Sequence, residues 1–475
     1  MTEQKLRFQQ LWAYALPGAS ISALGLPLAV HLPAFYAKEM GVSVAAVGMI
    51  FMISRFWDVF TDPMLGVLSD RFPSRWGRRR HWIVLSVPII ALSVFFVFMP
   101  IKFVEPTLQS IYLLIWLLFM YIGWTMLTLS HLSWGAELSP NYDERSRIQG
   151  AREMFIVIGM VIVLALPSII EQRGGDYPSQ MAAMAWFVIL SLPVFVAISV
   201  TMVGERQAAP TRHTPWREAV TVLMQNRPLQ LLLAADIALG IGGGTVASMF
   251  VFIMDHALGL GEWRNVILLV YFLSGFACVP LMIWLTYKLG KHRALCASVI
   301  FNMSTLPLLF FLPQGAVGLA FFLWVIFGLN YAATPFIMRA ILPDVADHDY
   351  LQTGEQRTGL FFSLLTLTNK IGQALAIGIA YTLLGWIGFD AQGENSPQIT
   401  QGVLTIYIIL PTILNLVVVA FMWNFPLDSK AQQDLRTAIQ AKTASAGVTP
   451  VKLSSGDAGN VGGPEPDATD PRPAE

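Results

Sequence analysis

Three ionisable side chains interrupt a long apolar run near the start of the chain: Arg55, Asp58 and Asp62, in ISRFWDVFTDPMLG. Spacings of three and four residues place all three on one face of a helix. Inside a membrane such groups cost several kcal/mol and persist when they pair with each other, bind an ion or line water. Two carboxylates one turn apart repel unless a cation or a proton lies between them. Pro63 follows directly, and because it has no N–H, the Val59 carbonyl loses its helical partner and can turn toward a ligand. Carboxylates and a freed carbonyl are hard oxygen ligands, suited to Na+ or H+ rather than a soft metal. The same residues also allow a plainer arrangement, an internal Arg55–Asp58 pair with Asp62 at the helix end.

Lys370, in LLTLTNKIGQALAIG, is a second charge within an apolar run. It has no acidic neighbour in its own segment, so its expected partner is the Asp58–Asp62 pair across the bundle, with Thr366, Asn369 and Gln373 adding polar groups around it. The alternative is a lysine snorkelling to the interface. Arg152 and Asp236 are further candidates for a polar cavity. Thr128, Ser130, His131, Ser133 and Trp134 make one more run polar at its end. His131 reads either as a hydrogen-bonded interior residue or as a proton carrier. Gly240, Gly242, Gly243 and Gly244 suggest close helix packing or a flexible gate.

The elements that must position these groups are membrane spans. The chain has 475 residues, 55% hydrophobic and 13% charged, with a mean hydropathy of +0.59. A soluble domain carries about 25% charged residues, so this chain has too few to cover a water-facing surface. A span needs about 20 mostly apolar residues, and the sequence supplies runs at 13–37, 44–69, 82–101, 108–134, 152–171, 181–203, 229–254, 264–287, 293–312, 316–339, 358–388 and 402–425. In lipid every backbone polar group must be bonded internally, so these runs must be helices. Alternate loops carry Arg71, Arg75, Arg78, Arg79, Arg80, Arg145, Arg147, Arg206, Arg212, Arg217, Arg227, Lys288, Lys291 and Arg293, whereas the others hold little beyond Lys38, Lys102, Arg173 and Arg264. The positive-inside rule makes the first set cytoplasmic, together with both termini.

Net charge is zero, with 30 basic and 30 acidic residues, which gives no pull toward nucleic acid. The two cysteines, Cys278 and Cys296, lie in apolar surroundings without ligand spacing and read as packing residues. The first run is too long for a cleavable signal and lacks a cleavage site. No nucleophile–base pair, metal cluster or nucleotide loop points to an enzyme, and the GRRR run has no strand–turn–helix context.

A polar stretch at 204–228 divides the chain into two six-helix halves, 13–203 and 229–425, flanked by a cytoplasmic N-terminus at 1–12 and a cytoplasmic tail at 426–475. Within that tail, 426–442 could form a surface helix, and the Gly-, Ser- and Pro-rich remainder is expected to be disordered. The halves echo each other. Gly66-Val-Leu-Ser-Asp-Arg71 followed by Gly77-Arg-Arg-Arg80 corresponds to Tyr287-Lys-Leu-Gly290-Lys-His-Arg293, and GAELSPNYDERSRIQGAR corresponds to LPDVADHDYLQTGEQRTG. Two parallel halves with a site between them are the plan of the major facilitator superfamily. The expected fold is therefore an all-α membrane protein of twelve transmembrane helices in that arrangement.

RFWDVFTDPMLGVLSDR…SRWGRRRHWI, GAELSPNYDERSRIQGAR and PDVADHDYLQTGEQRTGLFFSLLTLTNKIGQAL, in that order, resemble the glycoside–pentoside–hexuronide cation symporter (melibiose permease-like) family. The resemblance implies that Asp58 and Asp62 bind the coupling Na+, Li+ or H+, that Lys370 assists, and that Arg152 lies at the sugar site. It also shows a departure. The aspartates that grip galactosyl hydroxyls in that family fall, in a gapless reading, on Ser22 and Thr128 or a residue beside them. The same branch includes sodium-coupled lysophospholipid symporters, which keep the cation motif around a more apolar cavity.

The expected function is cation-coupled symport by alternating access, with a sugar, glycoside or sugar acid as the small-molecule substrate and an amphipathic lipid as the second choice. A non-transporting receptor would carry a signalling domain or lack the coupling charges, and this chain does neither. Substrate contacts are expected from Ser22, Thr128, His131, Trp134, Arg152, Asp236, Thr366 and Gln373. A cytoplasmic network of Asp70, Arg71, Arg78, Glu137, Arg145, Asp344 and Arg357 is expected to latch the outward-open state. Beyond the coupling ion no cofactor is implied. The expected setting is the lipid of a bacterial cytoplasmic (inner) membrane, with the chain acting as a monomer.

Overall fold

The computed structural model describes residues 6–72, 74–139, 142–205, 222–331, 333–354, 357–428, 431–435 and 437–439. The first span is made of α1 (Phe8–Ala15) and α2 (Pro17–Lys38). Then come α3 (Val44–Arg71), α4 (Arg80–Phe98), α5 (Pro106–Glu137), α6 (Tyr142–Gln172) and α7 (Tyr177–Met202). The second half begins with α8 (Arg227–Phe252), prolonged by a π-helical turn at Ile253–Ala257. It continues through α9 (Arg264–Ala277), α10 (Val279–Leu289), α11 (Lys291–Thr305), α12 (Val317–Gly328), α13 (Ala333–Thr353), α14 (Thr358–Trp386) and α15 (Pro397–Met422).

Among the described residues eleven helices are long and apolar enough to cross a membrane, and twelve when the bent α9–α10 pair is counted as one span. The 44° bend falls at Cys278, just ahead of Pro280, whose ring removes a backbone donor and breaks the ladder. Helix starts are fixed locally. Ser43, Asp176, Asn226 and Ser396 accept backbone N–H bonds from Ala46, Ser179, Leu229 and Ile399, satisfying donors that a helix leaves free at its first turn.

Two expectations about boundaries are corrected. The first span begins at Phe8 rather than residue 13, because α1 packs against α6 and α7. The segment after residue 339 is helical rather than a loop, since α13 runs to Thr353. Its buried Ile337, Met338, Ile341, Leu342, Val345 and Ala346 recur in pairs every four residues. That is an amphipathic face that a hydropathy average over polar neighbours conceals. Residues 431–435 and 437–439 are helical, where a surface helix is expected, whereas 206–221 and the rest of the tail lie outside the described residues. Cys278 and Cys296 are buried free thiols.

The halves meet along three seams: α3 on α14, α2 on α8, and α6 on α9. Glycine permits the close approach at the first. A Cβ on Gly48 would lie 2.6 Å from the Tyr381 Cβ, and one on Gly378 would lie 2.5 Å from the Met52 sulfur. Within the second half, Gly240 faces Gly372 and Gly244 faces Ala376, which docks α8 on α14. Gly242 lies against Pro411, and Gly243 faces open space. Close packing therefore accounts for Gly240 and Gly244, whereas a Cβ on Gly242 would lie an ordinary 3.6 Å from Pro411.

Candidate functional site

The seam between α3 and α14 brings Lys370 onto the two aspartates. Its ammonium is 2.7 Å from Asp58 Oδ2 and donates to Asp62 Oδ2. The Asp58 contact is an ion pair rather than an aligned hydrogen bond, since that oxygen has no hydrogen-bond partner. Asp58 is fully buried, whereas the Asp62 and Lys370 side chains each keep 20% of their surface. Thr125 of α5 completes the cluster, its Oγ1 lying 2.7 Å from Asp58 Oδ1 and 2.9 Å from Asp62 Oδ1.

This geometry settles the alternatives left open at Arg55. The Arg55 guanidinium lies over the Tyr121 ring, 5.0 Å from its centroid, and Asp58 takes its counter-charge from Lys370 instead. Lys370 is accordingly held inside the bundle by two acids rather than drawn to an interface. Two carboxylates and one ammonium leave one net negative charge. A threonine has a single hydroxyl proton, so Thr125 can donate to only one of the two carboxylate oxygens beside it. Three hard oxygens converge there, and one added cation or proton would both neutralise the cluster and satisfy the oxygen that Thr125 leaves unbonded.

Thr125 was not distinguished by sequence reasoning. It lies in the apolar stretch FMYIGWTMLTLSH, one turn before Thr128, whose own Oγ1 donates its proton to the Trp124 carbonyl at 2.8 Å. Ser22 likewise donates to the Ala19 carbonyl at 3.0 Å. His131 Nε2 is 2.8 Å from the Tyr14 carbonyl, its ring stacks on the Tyr14 ring at 4.5 Å, and Tyr14 donates to the His131 carbonyl. That is helix packing between the first span and α5, so His131 and the buried Trp134 beside it are interior residues here. Arg152 pairs with Glu153 at 2.8 Å.

In the second half Asp236 is buried and accepts from Thr368 at 2.7 Å. Thr366, the threonine singled out from sequence, is exposed and bonds the Phe362 carbonyl. Two residues along a helix is about 200° of rotation, which puts Thr366 and Thr368 on different faces. Gln373 donates to Asn369 Oδ1 at 2.8 Å, one turn from Lys370.

The residues expected to latch the arginine-rich end are described only in part. At the arginine-rich end the ion pairs on view close within halves. Arg78 and Arg79 reach Glu137 at 2.6 and 3.1 Å, Lys291 reaches Asp344 at 2.6 Å, and Arg357 is 4.0 Å from Asp349. The side chains of Asp70, Arg71 and Arg145 lie outside the described residues. Glu205, just past α7, accepts the backbone N–H groups of Arg78 and Arg79 at 2.6 and 2.8 Å, placing an anion at the start of α4, where the helix dipole favours it. Gly77 makes room for this: its φ is +117°, and a Cβ there would fall 2.0 Å from Glu205 Oε2.

Besides the mid-span pairs of Lys370 with Asp58 and Asp62, ion pairs join the halves at the arginine-poor end. Lys38, at the end of α2, pairs with Asp255. Arg264 pairs with Asp255 at 3.0 Å, donates to Gln180 at 3.1 Å and lies over the Tyr177 ring, 4.6 Å from its centroid. Asn265 donates to Glu171 at 2.9 Å. Asp255 and Arg264 are nine residues apart, whereas Lys38, Gln180 and Glu171 come from the other half, distant in sequence.

Twelve spans in two halves, bridged at mid-span by a buried charge cluster, define a membrane transporter of the major facilitator superfamily rather than an enzyme. The chain belongs to the MFS/sugar transport protein family, whose model matches residues 13–429. It is 22% identical over 444 residues to a glucuronide carrier protein homolog of Escherichia coli (strain K12), covering 91% of this chain and 95% of that one. It is 23% identical over 479 residues to a sodium-dependent lysophosphatidylcholine symporter of Mus musculus, covering 92% and 89%. Among solved structures the nucleoside transporter NupG superposes with a TM-score of 0.64 at 13% identity, covering 88% of this chain and all of that one.

Proposed function

We propose that this chain is a cation-coupled symporter that carries a sugar, glycoside or sugar acid into the cell by alternating access. The supporting observation is the convergence of Asp58, Asp62 and Thr125 oxygens on one point, bridged by Lys370 from the other half. Asp58 and Asp62 bind Na+ or H+, and Lys370 stands in for part of the missing positive charge when the site is empty. An empty cluster with an unbalanced charge resists occlusion inside a low-dielectric bundle, whereas a filled one is neutral and can be carried across. The membrane potential adds about 2.3 kcal/mol per charge per 100 mV to the drive.

The arginine-rich loops mark the cytoplasmic side, so both termini are cytoplasmic and the membrane is the bacterial inner membrane. On that orientation the Lys38–Asp255–Arg264 cluster closes the outer end, and its rupture opens the carrier outward. Similarity to the glucuronide carrier homolog favours a sugar acid or glycoside, which Arg152 could engage through its guanidinium.

A second reading, an amphipathic lipid-like solute, has its own observation. The Ser22 and Thr128 hydroxyl protons are donated within their own helices, so neither is left to donate to a sugar oxygen, and the mouse relative is a lysophosphatidylcholine symporter by name. A thermal-stability screen of sugars, uronic acids and lysolipids, each with and without Na+, separates the two, because a ligand stabilises in proportion to its occupancy. Cation-dependent stabilisation by a sugar or uronate supports the first reading. Stabilisation by lysolipids alone rejects it.

A further inference from the structure

A groove separate from the transport site opens on the outer face of the N-terminal half, between α4 and α7. It has a volume of about 640 Å³ and is lined on one wall by Val84, Val87 and Pro88, and on the other by Pro193, Val196, Ala197 and Val200, with Thr201 at the end nearest the mouth. Arg75, Trp76 and Arg80 stand at its cytoplasmic mouth. Pro88 and Pro193 both lie inside their helices, where each removes a backbone donor and loosens the ladder. Arg80 crosses the mouth and donates from its guanidinium to the Val200 carbonyl, while its Nε is buried without a partner. Arg75 and Trp76 are exposed.

We propose that this groove binds one anionic phospholipid of the cytoplasmic leaflet, with its phosphate at Arg75 and Arg80 and an acyl chain between α4 and α7. Three features select that occupant. Eight residues separate Arg80 from Pro88, about 12 Å at the helical rise of 1.5 Å per residue, close to the roughly 15 Å depth of one hydrocarbon leaflet. The walls are apolar along that length, as an acyl chain requires. The mouth combines two guanidiniums, which suit a phosphate, with a tryptophan of the kind enriched at membrane interfaces. The nearby Glu205, bonded to the backbone N–H groups at the start of α4, offsets one of these charges, and Arg75 and Arg80 together with it still leave the mouth one net positive charge. A lipid seated here would brace α4 against α7, and through Glu205 it would touch the loop that carries Gly77 and Arg78.

Native mass spectrometry of the full detergent-purified chain tests this, using phosphatidylglycerol and phosphatidylcholine with identical acyl chains, and glycerol phosphate as a headgroup without chains. The expected result is one retained phosphatidylglycerol per chain, at least threefold more populated than phosphatidylcholine, and not displaced by glycerol phosphate. Arg75→Gln, at an exposed position, should remove that preference. Ala197→Phe, which fills the groove, should lower retention of both lipids at least threefold. Equal retention of the two lipids by the unmodified chain overturns the proposal, as does displacement by glycerol phosphate or an unchanged preference in Arg75→Gln. If Ala197→Phe does not fold, the Arg75→Gln comparison decides alone.

Discussion

Lys370 of α14 places its ammonium 2.7 Å from the buried carboxylate of Asp58 on α3. This pair spans the two halves of the chain, so a mid-membrane charge balance and the closeness of the halves are one physical quantity. Anything that changes the charge at Asp58 changes the force holding α3 to α14.

Replacing Lys370 with alanine leaves two carboxylates facing each other in the bundle. Removing one partner of a buried ion pair costs about 3–5 kcal/mol, and here the penalty falls where a cation can offset it. Lys370→Ala should therefore unfold at lower temperature than the unmodified chain in cation-free buffer at pH 8, and regain much of the difference with Na+ or on acidification. A thermal melt unaffected by the substitution in cation-free buffer would contradict the role given to Lys370.

Thr125 and Thr128 make a matched pair of controls one turn apart. Thr125→Val removes a hydroxyl held between two carboxylates, and bonds to charged groups are worth about 1.5–3 kcal/mol, so cation affinity should fall roughly tenfold or more. Thr128→Val loses only a bond to its own helix and should leave affinity within about twofold, since such back-bonding contributes little to a helix. Titrating the cation dependence of transport or thermal stability for both variants reads the contrast directly.

Asp255 holds Lys38 and Arg264 together across the halves. Asp255→Asn strips both cations of their anion, and loss of one partner from a buried charge pair costs about 2–5 kcal/mol. The closed arginine-poor end should then open in a larger share of molecules, by roughly tenfold or more. The check is alkylation of a Met52→Cys thiol, in a Cys278→Ser, Cys296→Ser background, by an impermeant reagent added from that side. Labelling no faster than in the Asp255 parent would count against the latch.

Gly77→Ala combines a strained left-handed φ of +117° with a clash against Glu205. Strain of this kind costs about 1–3 kcal/mol, and the displaced carboxylate also leaves the start of α4 uncapped. The variant should give a lower melting temperature in detergent, and Gly77→Ala combined with Glu205→Ala should lose less than the two single changes summed, because the clash is gone.

The spans, their division into halves and the charged positions were legible because membrane helices advertise themselves through composition. Asp58 and Asp62 stood out by i, i+4 spacing, and Lys370 by being a lone cation in an apolar run. Thr125 and Thr368 did not, since a hydroxyl in a membrane helix usually bonds its own backbone, as Thr128 and Thr366 do. The Lys38–Asp255–Arg264 cluster was illegible for another reason. Asp255 and Arg264 are close in sequence, but Lys38 is 217 residues from Asp255, and only the docking of the halves brings it to them. The continuation of α13 beyond residue 339 was hidden by its Asp and His residues, although its paired apolar positions carried the helical period.

The central claim is that Asp58 and Asp62 bind the coupling cation, and charge displacement in proteoliposomes on a cation jump tests it without knowledge of the substrate. A Na+ step and a separate pH step are applied with no solute present. The account predicts a transient current for at least one cation, abolished in Asp58→Asn and in Asp62→Asn, reduced in Thr125→Val and retained in Thr128→Val. A current of unchanged size in Asp58→Asn would contradict it.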